Sequence, residues 1–337
     1  MKFKSYYILL IAVALYSCGK KLENVEKWTK SSSGIPFFSA IPEKLFITNG
    51  VMYAGTVNDG VYRSMDGGQN WTHFSSGLPN GVNIQGFGVS TDNIVFALGI
   101  DHGIYSLTPA GSWAPFKQYV FPFDSPRDAW DMYVSGTTIM AADNAYDYYS
   151  TATNNGSIWG TISPFIIYAF TDDNPTSSGK RIYAGGTYGM FVSADGGANY
   201  TTIMSGMPAL PEVNALHIPG KGTAGGTHIY AGTIEKGLYR AQLGTSAYNW
   251  SKVNTGMVDT AYITSINSTS DGKYIFVSSY YGGVYISRDF GVTWDNYTDD
   301  LFPSNMFNAI YDVAVYDLQS RVYIASSDGY IYTRTIK

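Results

Sequence analysis

The chain has 337 residues but only one cysteine and four histidines, and only 14% of it is charged. A single thiol, Cys18, excludes an internal disulfide framework. His73, His102, His217 and His228 lie far apart with no ligand spacing, so a histidine-built metal centre is not expected. Lys and Arg number 21 against 26 Asp and Glu, a net charge of -5. No basic stripe is visible, which removes the case for nucleic acid. There is no H-E-x-x-H, no phosphate-binding loop and no G-x-S-x-G, and no motif implies a cofactor. The apolar run Tyr6 to Leu15 is too short to span a bilayer as a mature helix.

What is present is a strand-and-turn composition: 45% hydrophobic, with 29 Tyr and 37 Gly. A pair of short strands recurs seven times. It begins as Val51-Met52-Tyr53-Ala54-Gly55-Thr56 with Gly60-Val61-Tyr62-Arg63-Ser64. Five further copies follow, one of them Ile139-Met140-Ala141 with Asp147-Tyr148-Tyr149-Ser150, and the last is Val322-Tyr323-Ile324 with Gly329-Tyr330-Ile331-Tyr332-Thr333. Equivalent positions 53, 96, 140, 183, 230, 276 and 323 are 43, 44, 43, 47, 46 and 47 residues apart. Repeats of about 40–50 residues made of short strands predict propeller blades, which bury their faces only by stacking on one another. The expectation is one all-β, seven-bladed β-propeller of four-stranded antiparallel blades. The repeat marks each blade's second and third strands. An aromatic fourth strand follows in Asn70-Trp71-Thr72, Asn199-Tyr200-Thr201 and Asn249-Trp250-Ser251, each leading into a Ser/Thr-Gly turn. The last copy lacks this strand, and Lys27-Trp28-Thr29-Lys30 with Ser33-Gly34 supplies it. Pairing of the N- and C-terminal strands is expected to close the ring and remove its open edges.

Lys2 and Lys4 precede the apolar run, which ends at Leu15-Tyr16-Ser17-Cys18. This resembles a bacterial lipobox, with Leu three before a Cys that becomes acylated. The resemblance implies a lipoprotein signal at 1–17, a tether at 18–26 and the propeller at 27–337. It implies a lipid anchor at the bacterial cell envelope, with lipidation at Cys18. The mature chain would keep 19 basic against 26 acidic side chains, a charge of -7.

Three repeats carry a sharper turn: Ser64-x-Asp66-x-Gly68-x-x-Trp71, Ser193-x-Asp195-x-Gly197-x-x-Tyr200 and Ser287-x-Asp289-x-Gly291-x-x-Trp294. Asp accepts backbone N–H bonds of its own turn, Gly supplies positive φ, and the aromatic packs between sheets. The pattern resembles the Asp-box, or BNR, repeat of sialidases, other glycoside hydrolases, sortilin-type receptors and the photosystem II assembly factor. The resemblance implies that these aspartates are structural and lie away from the functional face. Four Asn-x-Ser/Thr triplets recur at one repeat position and read as strand geometry rather than glycosylation sites.

A sialidase needs an arginine cluster that clamps a carboxylate. Arg63, Arg240 and Arg334 follow the third-strand tyrosine, Arg181 and Arg321 precede second strands, and Arg288 lies in a turn motif. Only Arg127 stands outside the pattern, which argues against a converging triad. Function is therefore expected on the loops of one face. There Trp130, Tyr146, Tyr188, Tyr280 and Tyr281 are candidate ligand contacts, with Phe37, Phe38, Asp131, Asp259 and Tyr262 nearby. The reading is an envelope-anchored binding or assembly module for a glycan or an envelope protein. The alternative is a glycoside hydrolase or lyase using Asp101, Asp143, Glu235 or Asp328, since two facing carboxylates suffice for that chemistry. A purely structural subunit of a surface complex is the third reading.

Overall fold

A computed structural model describes residues 26–100, 102–117, 129–136, 138–143, 149–153, 158–161, 166–173, 180–223, 226–244, 247–298, 301–302 and 308–337, of which 117, 129–130, 142–143, 149–153 and 158–161 enter through their backbone alone. The strands form seven four-stranded antiparallel sheets. The first contains Ile41–Thr48, Val51–Val57, Val61–Ser64 and Thr72–His73. The second contains Ile84–Val89, Val95–Gly99, Gly103–Leu107 and Trp113–Lys117. The third contains Ala129–Ser135, Thr138–Asp143, Tyr149–Thr153 and Ile158–Thr161. The fourth contains Ile167–Asp172, Ile182–Gly186, Gly189–Ser193 and Thr201–Thr202. The fifth contains Val213–His217, His228–Thr233, Leu238–Gln242 and Ser251–Lys252. The sixth contains Ile263–Ser268, Ile275–Ser279, Gly283–Ser287 and Asp295–Asn296. The seventh contains Ile310–Tyr316, Arg321–Ser326 and Ile331–Thr335, with Thr29–Lys30 as its outer strand. The chain is thus an all-β propeller of four-stranded blades. Each first strand packs on the first strand of the next sheet, and Ile310–Tyr316 packs on Ile41–Thr48. Thr29 pairs with Thr333 and Lys30 with Tyr332.

Second strands lie between two neighbouring sheets and are covered on both faces. They therefore read as continuous buried runs rather than alternating ones. Tyr183, Tyr230, Tyr323 and Phe276 sit at their centres, 2% exposed or less. In the third sheet the third strand is described over Tyr149–Thr153, and the expected Asp147 and Tyr148 lie outside the described residues.

Five seams between sheets are built on the aromatic of an outer strand, four of them together with a Ser/Thr-Gly turn. The indole of Trp71 donates to the Ser31 carbonyl at 2.6 Å, that of Trp113 to Phe74 at 2.7 Å, that of Trp250 to Ile203 at 2.8 Å and that of Trp28 to Tyr297 at 2.7 Å. Each acceptor lies in the preceding sheet. The backbone N–H of Trp71, Trp113, Trp250 and Trp294 donates to Ser33, Ser76, Ser205 and Thr255, the residues just before the turn glycines. A Cβ on Gly34, Gly77, Gly206 or Gly256 would lie 1.9–2.1 Å from the carbonyl oxygen of that same tryptophan, and their φ angles are +87 to +95°. Only glycine permits both the conformation and the approach.

The Ser-x-Asp turns form a second clamp. In the first, Ser64 Oγ donates to Asp66 Oδ1 at 2.8 Å and accepts from Gly68 N at 2.9 Å, while Asp66 accepts from the backbone and side chain of Asn70 at 2.9 and 2.8 Å. The turns at Ser193–Asp195 and Ser287–Asp289 repeat this network. The side chain and backbone of Asn199 hold the Asp195 carboxyl at about 2. Tyr323 of the preceding sheet donates to the Gly67 carbonyl at 2.8 Å, and Tyr230 donates to Phe290 at 2.6 Å. The second-strand residue preceding the Asp195 turn is Met140, which has no donor for such a bond.

The antiparallel order puts the first-to-second and third-to-fourth hairpins on one face, here called the turn face. The second-to-third loops and the connections between sheets share the other, the loop face.

Gly77→Ala should lower stability by on the order of 3 kcal/mol in urea denaturation, since it adds backbone overlap to an unfavourable φ. Gly244, at φ +76° with open space around its Cβ position, isolates the conformational part. Gly244→Ala should cost about 1–2 kcal/mol. Equal losses would refute the seam account.

Candidate functional site

All seven first strands carry a register shift near their loop-face end. The single extra residues are Glu43, Gln85, Trp130, Tyr168, Asn214, Thr264 and Tyr311. A bulge bends its strand and re-aims a side chain, and such bulges concentrate at rims. Here they place one polar or aromatic residue per sheet around the axis on which the first strands converge. Several of these residues bond to the neighbouring sheet. Gln85 Nε2 donates to Glu43 Oε2 at 3.0 Å, Asn214 Nδ2 donates to the Ile263 carbonyl at 3.1 Å, and Thr264 Oγ1 donates to the Ile310 carbonyl at 2.7 Å. Thr187, from a second-to-third loop, donates to Tyr168 OH at 3.0 Å.

Beside this circle lies an aromatic group from the sixth and seventh sheets. Tyr262 stacks on Tyr280 with centroids 5.4 Å apart and planes at 20°. Tyr281 meets Tyr280 edge-on at 4.7 Å, and Tyr311 lies 6.2 Å from Tyr280. Burial raises the Glu43 carboxyl, with Gln85 and Lys44 opposing. Burial also raises the Tyr311 hydroxyl, reinforced by Glu43 and Tyr280. Tyr262 is raised by burial and by its tyrosine neighbours, with Glu212 adding to them. The result is a half-buried tyrosine platform beside carboxylates, with Tyr281 69% exposed at its top. Aromatic faces and adjacent acceptors of this kind suit stacking and hydrogen bonding of a ligand.

Below the bulges a cavity of about 180 Å³ contains Lys44, Asp131, Ser265 and Asp312. Lys44, Asp131 and Asp312 occupy one repeat position, just after the bulge, where other sheets place Gly86, Ala169, Ala215 and Ser265. Asp312 accepts from Leu45 N at 2.8 Å and Val313 N at 2.9 Å. Asp131 accepts backbone bonds from Met132 and from Phe170 of the next sheet. Burial pushes Asp131 up to about 6, with Lys44 opposing. Burial raises Asp312 too.

Nearer the turn face, a cavity of about 410 Å³ is lined in part by Tyr133, His217 and Lys221. Lys221 Nζ lies 3.0 Å from Asp172 Oδ1 and donates to Tyr133 OH at 2.7 Å. Ser135 donates to the second oxygen of Asp172, and Lys180 Nζ donates to Ser135 Oγ at 2.8 Å. These contacts tie the third, fourth and fifth sheets. His217, pushed down to about 3 by burial and by Lys221, is neutral and bonds Ser268 at 2.9 Å. Among the described residues, no group of three or more His, Cys, Asp and Glu is placed to hold a metal ion.

The residues picked out from sequence separate into several groups. Tyr280 and Tyr281 lie together in the platform. Tyr188 is exposed on a loop two sheets away. Trp130 occupies the bulge of the third sheet, and Asp143 ends the strand paired with it, since Ala129 faces Asp143 and Asp131 faces Ala142. Both enter through backbone alone. Asp101, Tyr146, Cys18, Phe121, Phe123, Arg127 and Phe307 lie outside the described residues. Asp328 accepts from Tyr332 OH at 2.5 Å and from Tyr330 N at 3.3 Å, so it holds its own loop. Asp59 does the same for Tyr62 at 2.6 Å. Glu235 is exposed at φ +58°, with the whole sixth sheet between it and Asp328.

The arginines are engaged separately. Arg63 covers the Phe74 ring at 3.9 Å, Arg240 donates to the Phe290 carbonyl at 2.7 Å, and Arg288 pairs with Asp295 at 2.8 Å. Arg334 does not share the position of Arg63 and Arg240. Thr333 pairs with Tyr323 there, while Arg334 is buried and donates to the Tyr297 carbonyl at 2.8 Å. Glu43, Tyr168 and Tyr311 escaped the sequence reading. Aligning the seven repeats two or three residues beyond their connections would have shown one polar or aromatic residue in each.

No family model matches the chain, and no curated protein matches it. Among solved structures it is similar to YCF48 bound to D1 peptide (TM-score 0.66, 12% identity, covering 93% of this chain and 96% of that one). It is similar to YCF48 from Cyanidioschyzon merolae (0.65, 14%, 92% and 98%). A third likeness is to the extracellular domain described as a one-component system, BT4673, from B. thetaiotaomicron (0.68, 15%, 92%). The chain spans only 40% of that last structure. At these identities the likeness shows the propeller fold alone.

Asp131 sets a pH dependence. Its folded value of about 6 exceeds the ordinary 3.8, so the folded state holds its proton more tightly. Stability from this group is complete below about pH 4 and is lost as pH rises through 6. Asp131→Asn should therefore flatten the fall in stability between pH 4 and 7, by on the order of 2 kcal/mol. Urea midpoints of the wild type and the variant at pH 4.5 and 7.5 check this. An unchanged slope would refute it.

Proposed function

We propose that this chain is a bacterial envelope lipoprotein whose propeller binds a protein segment or a glycan through its loop face. The reading takes residues 1–17 as a signal, 18–26 as a tether acylated at Cys18, and 27–337 as one ring of seven Asp-box blades. Successive packing of the first strands and the pairing of Thr29–Lys30 with the last strand support a closed ring. The Ser–Asp–Gly network at three equivalent turns supports the Asp-box reading.

The observation that carries the binding role is the tyrosine platform Tyr262–Tyr280–Tyr281–Tyr311 beside Glu43, with Trp130 and Tyr188 as further contacts of the same face. A structure of the same fold is bound to a peptide, which favours a protein segment. A hydrolase or lyase is the weaker reading, because Asp328 is engaged locally and Glu235 stands apart.

Thermal unfolding of the protein against a panel of envelope peptides, glycans and cell-wall fragments, with product analysis of each hit, tests the role. A ligand of the native state raises Tm by mass action. Tyr281→Ala and Tyr280→Ala should weaken that ligand by at least about 10-fold, and Tyr281→Ala should leave the unliganded Tm within a degree or two. Cleaved products that vanish with Asp143→Asn or Glu235→Gln would replace the binding reading with the enzymatic one. Cys18→Ser should move the protein from the membrane to the soluble fraction and remove the acyl mass. A membrane fraction unchanged by this variant would refute the anchor.

A further inference from the structure

The direction of the outer strand of the seventh sheet decides which face of the ring the N-terminal segment leaves. Thr29–Lys30 runs antiparallel to Ile331–Thr335. The latter descends from the loop face to the turn face, so residues 26–28, just before Thr29, lie at the turn face. Glu26 Oε1 stands 3.1 Å from Lys337 Nζ at that end, and Ile336 N donates to Ser320, in the turn-face hairpin of the seventh sheet, at 2.8 Å. Cys18 is eight residues before Glu26. Even fully extended, that stretch reaches no more than about 29 Å.

The turn face also carries exposed apolar tips. Met65 is 70% exposed, Leu318 81%, Phe290 52%, Val292 55% and Ile94 39%. All five stand at hairpin tips of the sixth, seventh, first and second sheets, so they centre on the sheet from which the tether leaves. Bonds between the tips join these hairpins. Tyr323 OH donates to the carbonyl of Gly67, two residues from Met65, and lies 3.3 Å from Gln319 Oε1, next to Leu318. Asp317 accepts from Ser270 of the sixth sheet at 2.8 Å, and Asn49 bonds Asn93, next to Ile94, at 3.3 Å. Most acids of this margin are engaged: Asp66 and Asp289 lie within their own turns, Asp271 accepts from Thr269, Asp317 from Ser270, Asp295 pairs with Arg288 and Glu26 with Lys337, while Asp92 stands exposed in the hairpin of Ile94.

We propose that this margin of the turn face rests on the lipid bilayer, with Met65, Leu318, Phe290 and Val292 entering its interfacial layer. The occupant is the lipid surface because the tether leaves here and is too short to hold this margin far from the membrane. Apolar tips on a short leash add buried apolar area to the lipid anchor and fix the orientation of the propeller on it. The tyrosine platform then points away from the membrane, toward soluble or cross-envelope partners. The inference rests on acylation of Cys18.

The full lipoprotein in phosphatidylcholine vesicles tests it. With Cys18 acylated, a single engineered thiol takes an environment-sensitive dye alone. Met65→Cys and Leu318→Cys probe the margin, and Val258→Cys, exposed on the loop face, is the control. The expected result is a blue-shifted emission at 65 and 318 that spin-labelled lipids quench several-fold, with a water-like, unquenched signal at 258. Protein that floats with vesicles while 65 and 318 stay water-like overturns the orientation but leaves the anchor intact. Quenching at 258 instead inverts it. Protein that carries no acyl group and does not float refutes the anchor and this inference together.

Discussion

Contact between a turn glycine and the next sheet's tryptophan backbone is the constraint on which the packing of neighbouring sheets depends. A four-stranded sheet of this size buries too little to stand alone. It is stable only when its outer strand is fixed against its neighbour. The first strands pack near the axis whatever their sequence, but the rims diverge with distance from it. Gly34, Gly77, Gly206 and Gly256 answer this by letting two backbones meet at the rim, and the indole N–H groups of Trp28, Trp71, Trp113 and Trp250 fix the register of that meeting. The Ser–Asp turns repeat the idea one layer inward, where Tyr323 and Tyr230 reach from one sheet's core into the turn of the next. Six of the seven tryptophans lie in an outer strand or immediately before one. Trp130 alone sits on a first strand, in the circle of bulges.

Rigid seams at the rim and bulges at the mouth divide the labour. The rim residues repeat because each seam meets the same geometric demand. The bulge residues vary because nothing in the seam constrains them. A bulge leaves its extra residue outside the ladder, free to differ in every sheet without disturbing pairing. Glu43, Gln85, Trp130, Tyr168, Asn214, Thr264 and Tyr311 use that freedom. Just below them, Lys44 shares the axial space with Asp131 and Asp312. Both acids sit above the ordinary carboxylate range there, a state that a packed apolar axis would avoid.

The repeat, the aromatic outer strands and the Asp turns were legible because each is a local pattern with a local cause. Tyr280 and Tyr281 stood out in the sequence because aromatics in a loop contrast with polar turns, and the structure places their rings together. Tyr311 and Tyr168 did not, since they look like ordinary strand residues until a register shift turns them outward. Asp328 is the opposite case. Its neighbours in sequence are loop residues, but the hydroxyl that claims it belongs to Tyr332, on the strand that follows. Asp172, Lys180 and Lys221 lie 49 residues apart at the extremes and meet only because three sheets converge on one axis.

The direction of the two-residue strand Thr29–Lys30 has a mechanical consequence. Its two pairs with the last strand lie side by side along one axis. Tension applied before Glu26 therefore loads the bonds to Thr333 and Tyr332 together, in shear, with the Trp28 indole and the Glu26–Lys337 pair in parallel. The same pull from the opposite end would peel those contacts one at a time. A very short strand thus resists force far better from one direction than its length suggests.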